Sequence, residues 1–391
     1  MKIVSRLIFP FLLAVTVAIA CQVPVFRYAL ERWQNDPYQV FVVSEGELEG
    51  EAKAAFEHLR AIEDDFKSPA NVYSEKIDLS KESGDSTLRQ HVREGKIELP
   101  AILLYYPDDR LKYPPIWTAP ATRPHVEALA GSPVRTEIIR RILTGDSAVW
   151  VFVECGDKAL DDAAYLQLQK HIKEATKELK LPEGVIAADK AQEAVDKGQL
   201  FDQSNVLRSE IPLKLAFSQL RVSRTDAAEQ PFLQMLLHCE PDLGEFKTEP
   251  MVFPVFGRGR ALEPLIGKGI TLDNVWDYCA YITGACSCEV KKQNPGVDLL
   301  TALDWDAVIE GSQIIIDKVL PPLEGVASLL QEPEIPKTDA SVPVAHSETG
   351  QASVSNDFPQ NSSMGRNIGI AIAVMIGVVL FGSLLLRRGS N

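Results

Sequence analysis

A run of 19 uncharged residues near the C-terminus, 368–386, constrains this chain most. At about 1.5 Å per helical residue the run spans roughly 28 Å, close to the hydrocarbon thickness of a bilayer. Arg387 and Arg388 follow directly, and basic residues stay on the cytoplasmic side of a membrane. Because the run has no polar face, a transmembrane helix over 367–388 explains it better than a buried core helix does. The predicted topology places the preceding chain outside the cytoplasm.

The N-terminus has the features of a secretory signal peptide, which we predict over residues 1–20. Lys2 and Arg6 precede a short apolar run and form the positive start of the signal. Ala18-Ile19-Ala20 forms a small-x-small cleavage site. An uncleaved N-terminal anchor is the alternative. Cleavage leaves Cys21 first, and the residues before it resemble a bacterial lipoprotein signal, so lipidation of Cys21 is a second interpretation. Both ends predict a single-pass protein of the bacterial cell membrane with an extracytoplasmic soluble body.

The body between these ends is acidic. The chain has 40 Lys and Arg against 54 Asp and Glu, a formal net charge of −14, and four basic residues lie in the terminal segments. Such a surface repels phosphate groups, which argues against nucleic acid and anionic lipid headgroups as partners. We therefore expect the partner to be another membrane or periplasmic protein.

Composition divides the rest of the chain. Residues 332–366 are rich in Pro, Ser, Ala and Thr, which is typical of a disordered linker. A flexible chain of that length spans on average about 33 Å, so the body would stand clear of the membrane. The ordered part before it, about 310 residues, is long enough for two domains, which we predict over 21–145 and 146–331.

The predicted membrane span carries a possible self-association face. Gly369, Ala373 and Gly377 recur at four-residue intervals and therefore share one side of a helix. Small residues let two helix backbones approach closely, and close packing is what holds helices together in lipid. The alternative is that Gly and Ala are simply common in such helices. We expect pairing with a second copy of the chain through this face.

The body contains an internal repeat, with corresponding landmarks in the same order. Apolar patterns predict helices over 47–62, 133–144 and 160–179, and strands over 38–43, 148–153, 211–222, 232–237 and 250–256. The matching segments are VFVVSEG (40–46) with VFVECGD (151–157), ELPAILLYYP (98–107) with TEPMVFPVFG (248–257), and ILTG (142–145) with YITG (281–284). We interpret this as a duplication, against chance recurrence of similar strands in an α/β protein.

The predicted element order resembles the thioredoxin fold. In each repeat a β-α-β unit precedes a Pro-led strand, a returning strand and a closing helix. In the thioredoxin-like superfamily a cis-proline precedes the third strand and faces the active site, and Pro100 and Pro250 match that place. The resemblance covers 36–145 and 146–285, and it implies an α/β protein with two tandem, degenerate thioredoxin-like domains.

The redox motif of thioredoxin enzymes is incomplete in both repeats. Those enzymes place Cys-x-x-Cys after the first strand, where the helix N-terminus lowers the first thiol's pKa and the second thiol resolves the mixed disulfide. Repeat one has Ser44-Glu-Gly-Glu47 there, and repeat two has Cys155-Gly-Asp-Lys158. Cys155 is a candidate for a redox role. The alternative is that it is a half-buried thiol at the end of a strand. We expect a non-catalytic binding or scaffold protein.

Cys286-Ser-Cys288 is the second thiol candidate. Two sulfurs two residues apart can chelate Cu(I) or close a strained disulfide, and two plain thiols are the third interpretation. The pair follows the closing helix, where we expect an exposed edge. It carries the alternative function, that of a thiol-disulfide oxidoreductase or a Cu(I) carrier, although no complete set of metal ligands is visible.

The last candidate is a glycine- and arginine-rich turn. The run Phe256-Gly-Arg-Gly-Arg260 resembles a phosphate-binding loop, but Leu262 stands where both nucleotide-binding patterns need a glycine. We interpret it as a hairpin turn. In an acidic body, Arg258 and Arg260 could still bind an anion or a partner.

Overall fold

The computed structural model of this chain describes residues 21–84, 86–107, 112–198, 202–287 and 289–311, which all belong to one compact unit. No helix in these ranges is long and apolar enough to cross a membrane. The signal peptide, the linker, the membrane helix and its face of Gly369, Ala373 and Gly377 lie outside the described residues and stay predictions.

A four-stranded mixed sheet forms the first half. Its order is β2-β1-β3-β4, in which β2 runs parallel to β1 while β3 and β4 run antiparallel to their neighbours. The central strand β1 is buried along its length, as its apolar sequence YQVFVVS requires. The strands are β1 (Tyr38–Ser44), β2 (Val72–Asp78), β3 (Ala101–Tyr105) and β4 (Trp117–Pro120).

The described residues of the first half contain five α-helices, and local sequence sets their ends. Ser132 caps the fifth helix, because its Oγ accepts the Arg135 backbone N–H at 2.9 Å. Pro133 takes the first helical position, and Gly145 follows the helix with a φ of +103°. The helices are α1 (Val25–Arg32), α2 (Gly50–Glu63), α3 (Thr87–Glu94), α4 (Arg123–Ala130) and α5 (Pro133–Leu143).

The second half contains a larger sheet with order β10-β8-β7-β5-β6, and β9 pairs with β7. Strand β6 is parallel to β5, and β7 and β8 are antiparallel to their neighbours. The run β6-β5-β7-β8 therefore repeats the order and directions of β2-β1-β3-β4. The strands are β5 (Ala148–Val153), β6 (Phe217–Val222), β7 (Met251–Phe256), β8 (Arg260–Ala261), β9 (Leu265–Ile266) and β10 (Val297–Asp298).

The helices of the second half correct one prediction. Residues 232–237 are part of a helix, so the strand predicted there is wrong. Pro231 sits in the first helical turn and nearly every residue after it is buried, so the short apolar run had no periodicity to separate helix from strand. The helices are α6 (Lys158–Glu178), α7 (Ala191–Asp196), α8 (Gln230–Leu237), α9 (Leu272–Thr283) and α10 (Trp305–Glu310).

The two halves share buried surface. One hydrophobic cluster takes residues from both sheets, including Val40 and Ile102 from the first and Val151 and Phe253 from the second. The N-terminal helix α1 contacts β7 and α9, so it packs on the second half although it precedes the first sheet. The mixed α/β prediction with two sheets is confirmed. The predicted domain boundary at 145/146 falls between α5 and β5.

Candidate functional site

The loops after β1 and β5 hold the positions of the missing redox motif. Val43 pairs with Ala101 and Val153 pairs with Met251, so the two central strands end at equivalent places. Gly46 and Gly156 then adopt nearly the same φ, +100° and +98°. The structural equivalence differs by one residue from the sequence match of 40–46 with 151–157. It makes Glu45 the residue of the first half that corresponds to Cys155.

Each loop is closed by a carboxylate of the chain itself. In the first half, Gly46 donates its N–H to Asp78 Oδ1 at 2.8 Å. In the second half, Cys155 N–H donates to Asp161 Oδ1 at 2.8 Å, and Gly156 N–H donates to Asp161 Oδ2 at 3.1 Å. Asp161 is buried. Two backbone donors of this loop are therefore taken up by a carboxylate of the chain itself.

The environment of Cys155 disfavours its reactive form. Burial raises the pKa of the Cys155 thiol, a hydrogen bond from the Asp157 backbone N–H opposes this, and the carboxylates of Asp161 and Asp157 leave the net shift upward. A redox thiol needs the opposite shift, since the thiolate is the nucleophile. Cys155 is a free thiol.

The two strand-leading prolines occupy matching places. Pro100 immediately precedes β3, and Pro250 immediately precedes β7, each next to the end of a central strand. The Leu99–Pro100 peptide bond is cis, whereas the bond before Pro250 is trans.

The structure does not place Cys286 at an exposed edge. Its side chain is only 2 % exposed, and its N–H donates to the Val23 carbonyl at 2.9 Å in a short antiparallel bridge with the N-terminal segment. The expectation of an exposed Cys286 is therefore wrong, because the predicted edge is covered by residues 23–25. Cys288 lies outside the described residues, so the Cu(I) site stays untested.

Cys21 packs beside this bridge. It is 8 % exposed, belongs to the same buried cluster as Cys286, and its Sγ lies 3.8 Å from the Ser204 carbonyl oxygen. To carry a lipid that reaches the membrane, the Cys21 side chain would have to leave this buried cluster. The lipidation of Cys21 remains a prediction that this packing does not favour.

Arg258 and Arg260 are bound within the chain. Arg258 donates to the Leu30 carbonyl at 2.8 Å and lies 2.8 Å from Asp306, and both arginines are buried. Arg260 lies 3.0 Å from Asp298 and donates to two backbone carbonyls between β9 and β10. Arg258 therefore connects α1 and α10 to the turn before β8, and Arg260 connects β8 to the residues just before β10. Arg260 also lines the cleft described next.

A cleft of about 1220 Å³ lies within the described residues. Its lining includes aromatic rings and prolines from the described ends of the β3–β4 connection, residues at the end of α8 and in the turn after it, and residues around β8 and β10. We call the residues around β8 and β10, with Asp36, the floor of the cleft and the remaining lining its walls. The aromatic, proline, cysteine and charged residues of the lining include Tyr106, Pro107, Tyr113, Pro114, Pro115, Arg224, His238, Cys239, Glu240, Pro241, Lys247, Arg260, Lys291, Lys292 and Asp298.

The floor of the cleft is an internal ion-pair network. Asp298 Oδ1 lies 3.0 Å from Arg260, and its Oδ2 accepts from the Asp36 backbone N–H at 2.9 Å. Lys291 contacts Asp298 and also lies 2.8 Å from Asp36. These charges neutralise one another, so the remaining charged walls decide which ligands are attracted.

The walls are fixed by hydrogen bonds, and their thiol is unreactive. The Tyr106 hydroxyl donates to the Met235 carbonyl, which joins the β3–β4 connection to α8. Burial, with the nearby carboxylates of Glu240 and Glu263, raises the pKa of Cys239 to about 12. At neutral pH this thiol is protonated, so the cleft offers contact surface rather than a nucleophile.

Sequence reasoning missed this cleft because its walls come from distant segments. The available signal was Lys112-Tyr-Pro-Pro-Ile-Trp117, an aromatic and proline cluster between two strands. Tyr113 is 50 % exposed, so its ring is accessible to a ligand. The described residues contain no group of three or more His, Cys, Asp or Glu side chains arranged to hold a metal ion.

Comparisons were made with protein-family models, with curated proteins and with solved structures. None of the three found a match to this chain. The arrangement of strands is compatible with the thioredoxin-like resemblance.

Proposed function

We propose that this chain is a non-catalytic binding protein, built from two degenerate thioredoxin-like modules and tethered to the outer face of the bacterial membrane. The module assignment is supported by the repeated strand order, with Pro100 and Pro250 before equivalent strands. The tether and its topology are carried by the terminal sequence segments alone.

The observation that carries the non-catalytic assignment is Asp161. Its buried carboxylate accepts the backbone N–H groups of Cys155 and Gly156, just before the helix that begins at Lys158, and its negative charge opposes a thiolate on Cys155. The same loop in the first half contains no cysteine and is closed by Asp78. The alternative function in thiol or Cu(I) chemistry is less well supported, since Cys286 is buried and Cys155 is held in its thiol form.

The proposed ligand is an extended, acidic, proline-containing segment of another exported or membrane protein. Flat aromatic and proline side chains, here Tyr113, Pro114 and Pro115, are typical of grooves that take extended proline-rich peptides. Outside the neutralised floor, the lining contains the cationic Arg224, Lys247 and Lys292 and the acidic Glu240, so the local charge is opposite to that of the whole chain. Positive walls favour an acidic ligand.

A peptide array tests this proposal. Twelve-residue peptides with proline content and net charge varied independently are probed with the purified chain, with the chain's Lys247→Glu variant and with a Lys170→Glu control. Lys170 is an exposed residue on α6 outside the cleft. We expect acidic, proline-containing peptides to bind, and Lys247→Glu alone to weaken them. Binding that ignores charge and proline content, or that both variants weaken equally, would overturn the proposal.

The non-catalytic part has its own assay. Reduction of insulin by dithiothreitol is followed with and without the chain. We expect no acceleration, because neither loop offers an activated thiol with a resolving partner. A catalytic rate that disappears in a Cys155→Ser variant would show that the assignment is mistaken.

A further inference from the structure

The cleft has a charge that fits a segment of this same chain. Its lining contains five cationic side chains and three acidic ones, whereas the whole chain has a net charge of −14. Arg224 lies on the wall with its two terminal nitrogens bonded to the Lys247 and Glu249 carbonyls, and its Nε is buried without a hydrogen-bond partner. An incoming acidic group would meet this cationic wall first.

The matching segment is Glu332-Pro-Glu-Ile-Pro336. It combines two carboxylates with two prolines at the Pro-x-x-Pro spacing that places both rings on one side of an extended helix of three residues per turn. Tyr113, Pro114 and Pro115 supply the flat apolar surface that such rings pack against. Residues 321–365 carry six acidic residues and one basic residue, so the surroundings of the motif add to the attraction.

The chain is long enough for the segment to reach the cleft. The described body ends at Gly311, 21 residues before Glu332. A stretch of that length spans up to about 70 Å when extended, which exceeds the diameter of roughly 50 Å expected for a compact body of this size. Tethering gives an effective concentration of roughly mM, so even a weak segment is bound much of the time.

We infer that residues 332–336 occupy the cleft of their own chain and compete with the external ligand. This inference rests on the proposed function, because it uses the same peptide-binding surface. It assigns the region before the membrane helix a second role besides spacing, since partner binding must displace it.

Photo-crosslinking in the full-length chain tests the inference. Benzoyl-phenylalanine is placed at Tyr113 in one protein and at Tyr73 in a control. Tyr73 is 40 % exposed on β2 and does not line the cleft. After irradiation and trypsin digestion, we expect position 113 to be joined to peptide 319–337, and position 73 not to be. Absence of that product, or equal yields at both positions, would overturn the inference.

Substitutions in the segment supply the specificity control. Glu332→Lys with Glu334→Lys, or Pro333→Ala with Pro336→Ala, is expected to lower the crosslink yield at least fivefold. Pro343→Ala with Pro359→Ala, in the same region of the chain, is expected to leave it within twofold. Unchanged yield in the first set would show that the motif is not what binds.

Two further arms separate the possible outcomes. Mixing normal and ¹⁵N-labelled chains distinguishes a segment bound to its own chain from one bound to a second copy, and mainly mixed products would overturn self-occupancy. Array peptides are titrated in parallel. If they bind while no crosslink forms, this inference fails and the proposed function stands, whereas failure of both removes the proposed function as well.

Discussion

At the scale of single residues, carboxylates shape the two loops. Asp161, which is buried, and Asp78, which is partly exposed, each accept backbone N–H groups of the loop beside them. Buried donors without partners are costly, so both carboxylates have a structural reason to be there. The two loops thus look alike in geometry although only one contains a cysteine.

Cys155 should react slowly with alkylating agents at neutral pH. Burial and two neighbouring carboxylates raise its pKa, so little thiolate exists at pH 7.5. An Asp161→Asn substitution removes one negative charge, and we expect it to speed alkylation several-fold with a lower apparent thiol pKa. Site-resolved mass spectrometry after iodoacetamide pulses measures this. Unchanged or slower reaction in the variant would contradict the assigned cause.

His91 should make stability sensitive to mild acid. Its ring is 8 % exposed and its Nδ1 lies 3.1 Å from the Tyr105 hydroxyl. Burial lowers the pKa of His91, so below about 6.5 the unfolded chain binds a proton that the folded chain resists. The free energy of unfolding should fall between pH 7.5 and 5, and less so in His91→Gln.

Urea unfolding at both pH values measures the effect. The partly exposed His125→Gln variant is the control and should keep the wild-type pH dependence. Identical pH slopes in wild type and His91→Gln would show that His91 is not responsible.

At the scale of elements, α1 is held by a buried ion pair. Arg27 Nε lies 2.8 Å from Glu31 Oε1, with both side chains essentially inaccessible. Arg27 also donates to Ser209, while Glu31 accepts the backbone N–H groups of Arg208 and Ser209. The pair therefore attaches the N-terminal helix to a segment nearly 180 residues later.

Breaking this pair on one side should be costly. We expect Glu31→Ala to lower the free energy of unfolding by about 3–5 kcal/mol, because Arg27 is left as an uncompensated buried charge. The double variant Arg27→Met with Glu31→Ala should be less destabilised than Glu31→Ala alone. Glu57→Ala, in an exposed pair with Lys53, should change stability by no more than about 1 kcal/mol. A free energy of unfolding that is lower in the double variant than in Glu31→Ala would contradict this explanation.

Several elements were predictable because strong local signals marked them. Strand β5 matches its predicted bounds, and α5 begins at Pro133 as predicted and ends at Leu143, one residue before the predicted end. Helix α8 was not predictable as a helix, since its short apolar run fits either state until its burial on all sides is known. The covering of Cys286 and the burial of Arg258 depend on contacts with α1 and its neighbours, more than 200 residues away, which no local pattern contains.

At the scale of the whole molecule, the chain combines a predicted membrane anchor with a cleft that we propose binds a peptide. The cleft could not be predicted because the β3–β4 connection, α8 and the β8–β10 region meet only in the folded chain. The charge of the cleft lining is opposite to the net charge of the chain. The chain as a whole therefore repels anions, while the cleft attracts them locally.

The topology prediction concerns the terminal segments. Protease added to intact spheroplasts should degrade the body, and an epitope placed after Arg388 should remain protected. The signal-like N-terminus and the two arginines that follow the apolar run motivate this outcome. Full protection of the body, with degradation only after lysis, would contradict it.

The binding claim is tested most directly by one affinity comparison. The tightest array peptide is titrated by fluorescence anisotropy against wild type, Tyr113→Ala and Tyr73→Ala, two tyrosines that are 50 % and 40 % exposed. Only the first lines the cleft. Truncation of an aromatic anchor costs 2 kcal/mol or more, so we expect Tyr113→Ala to raise Kd about 30-fold. Tyr73→Ala should leave Kd within twofold, and equal values for all three proteins would contradict binding in this cleft.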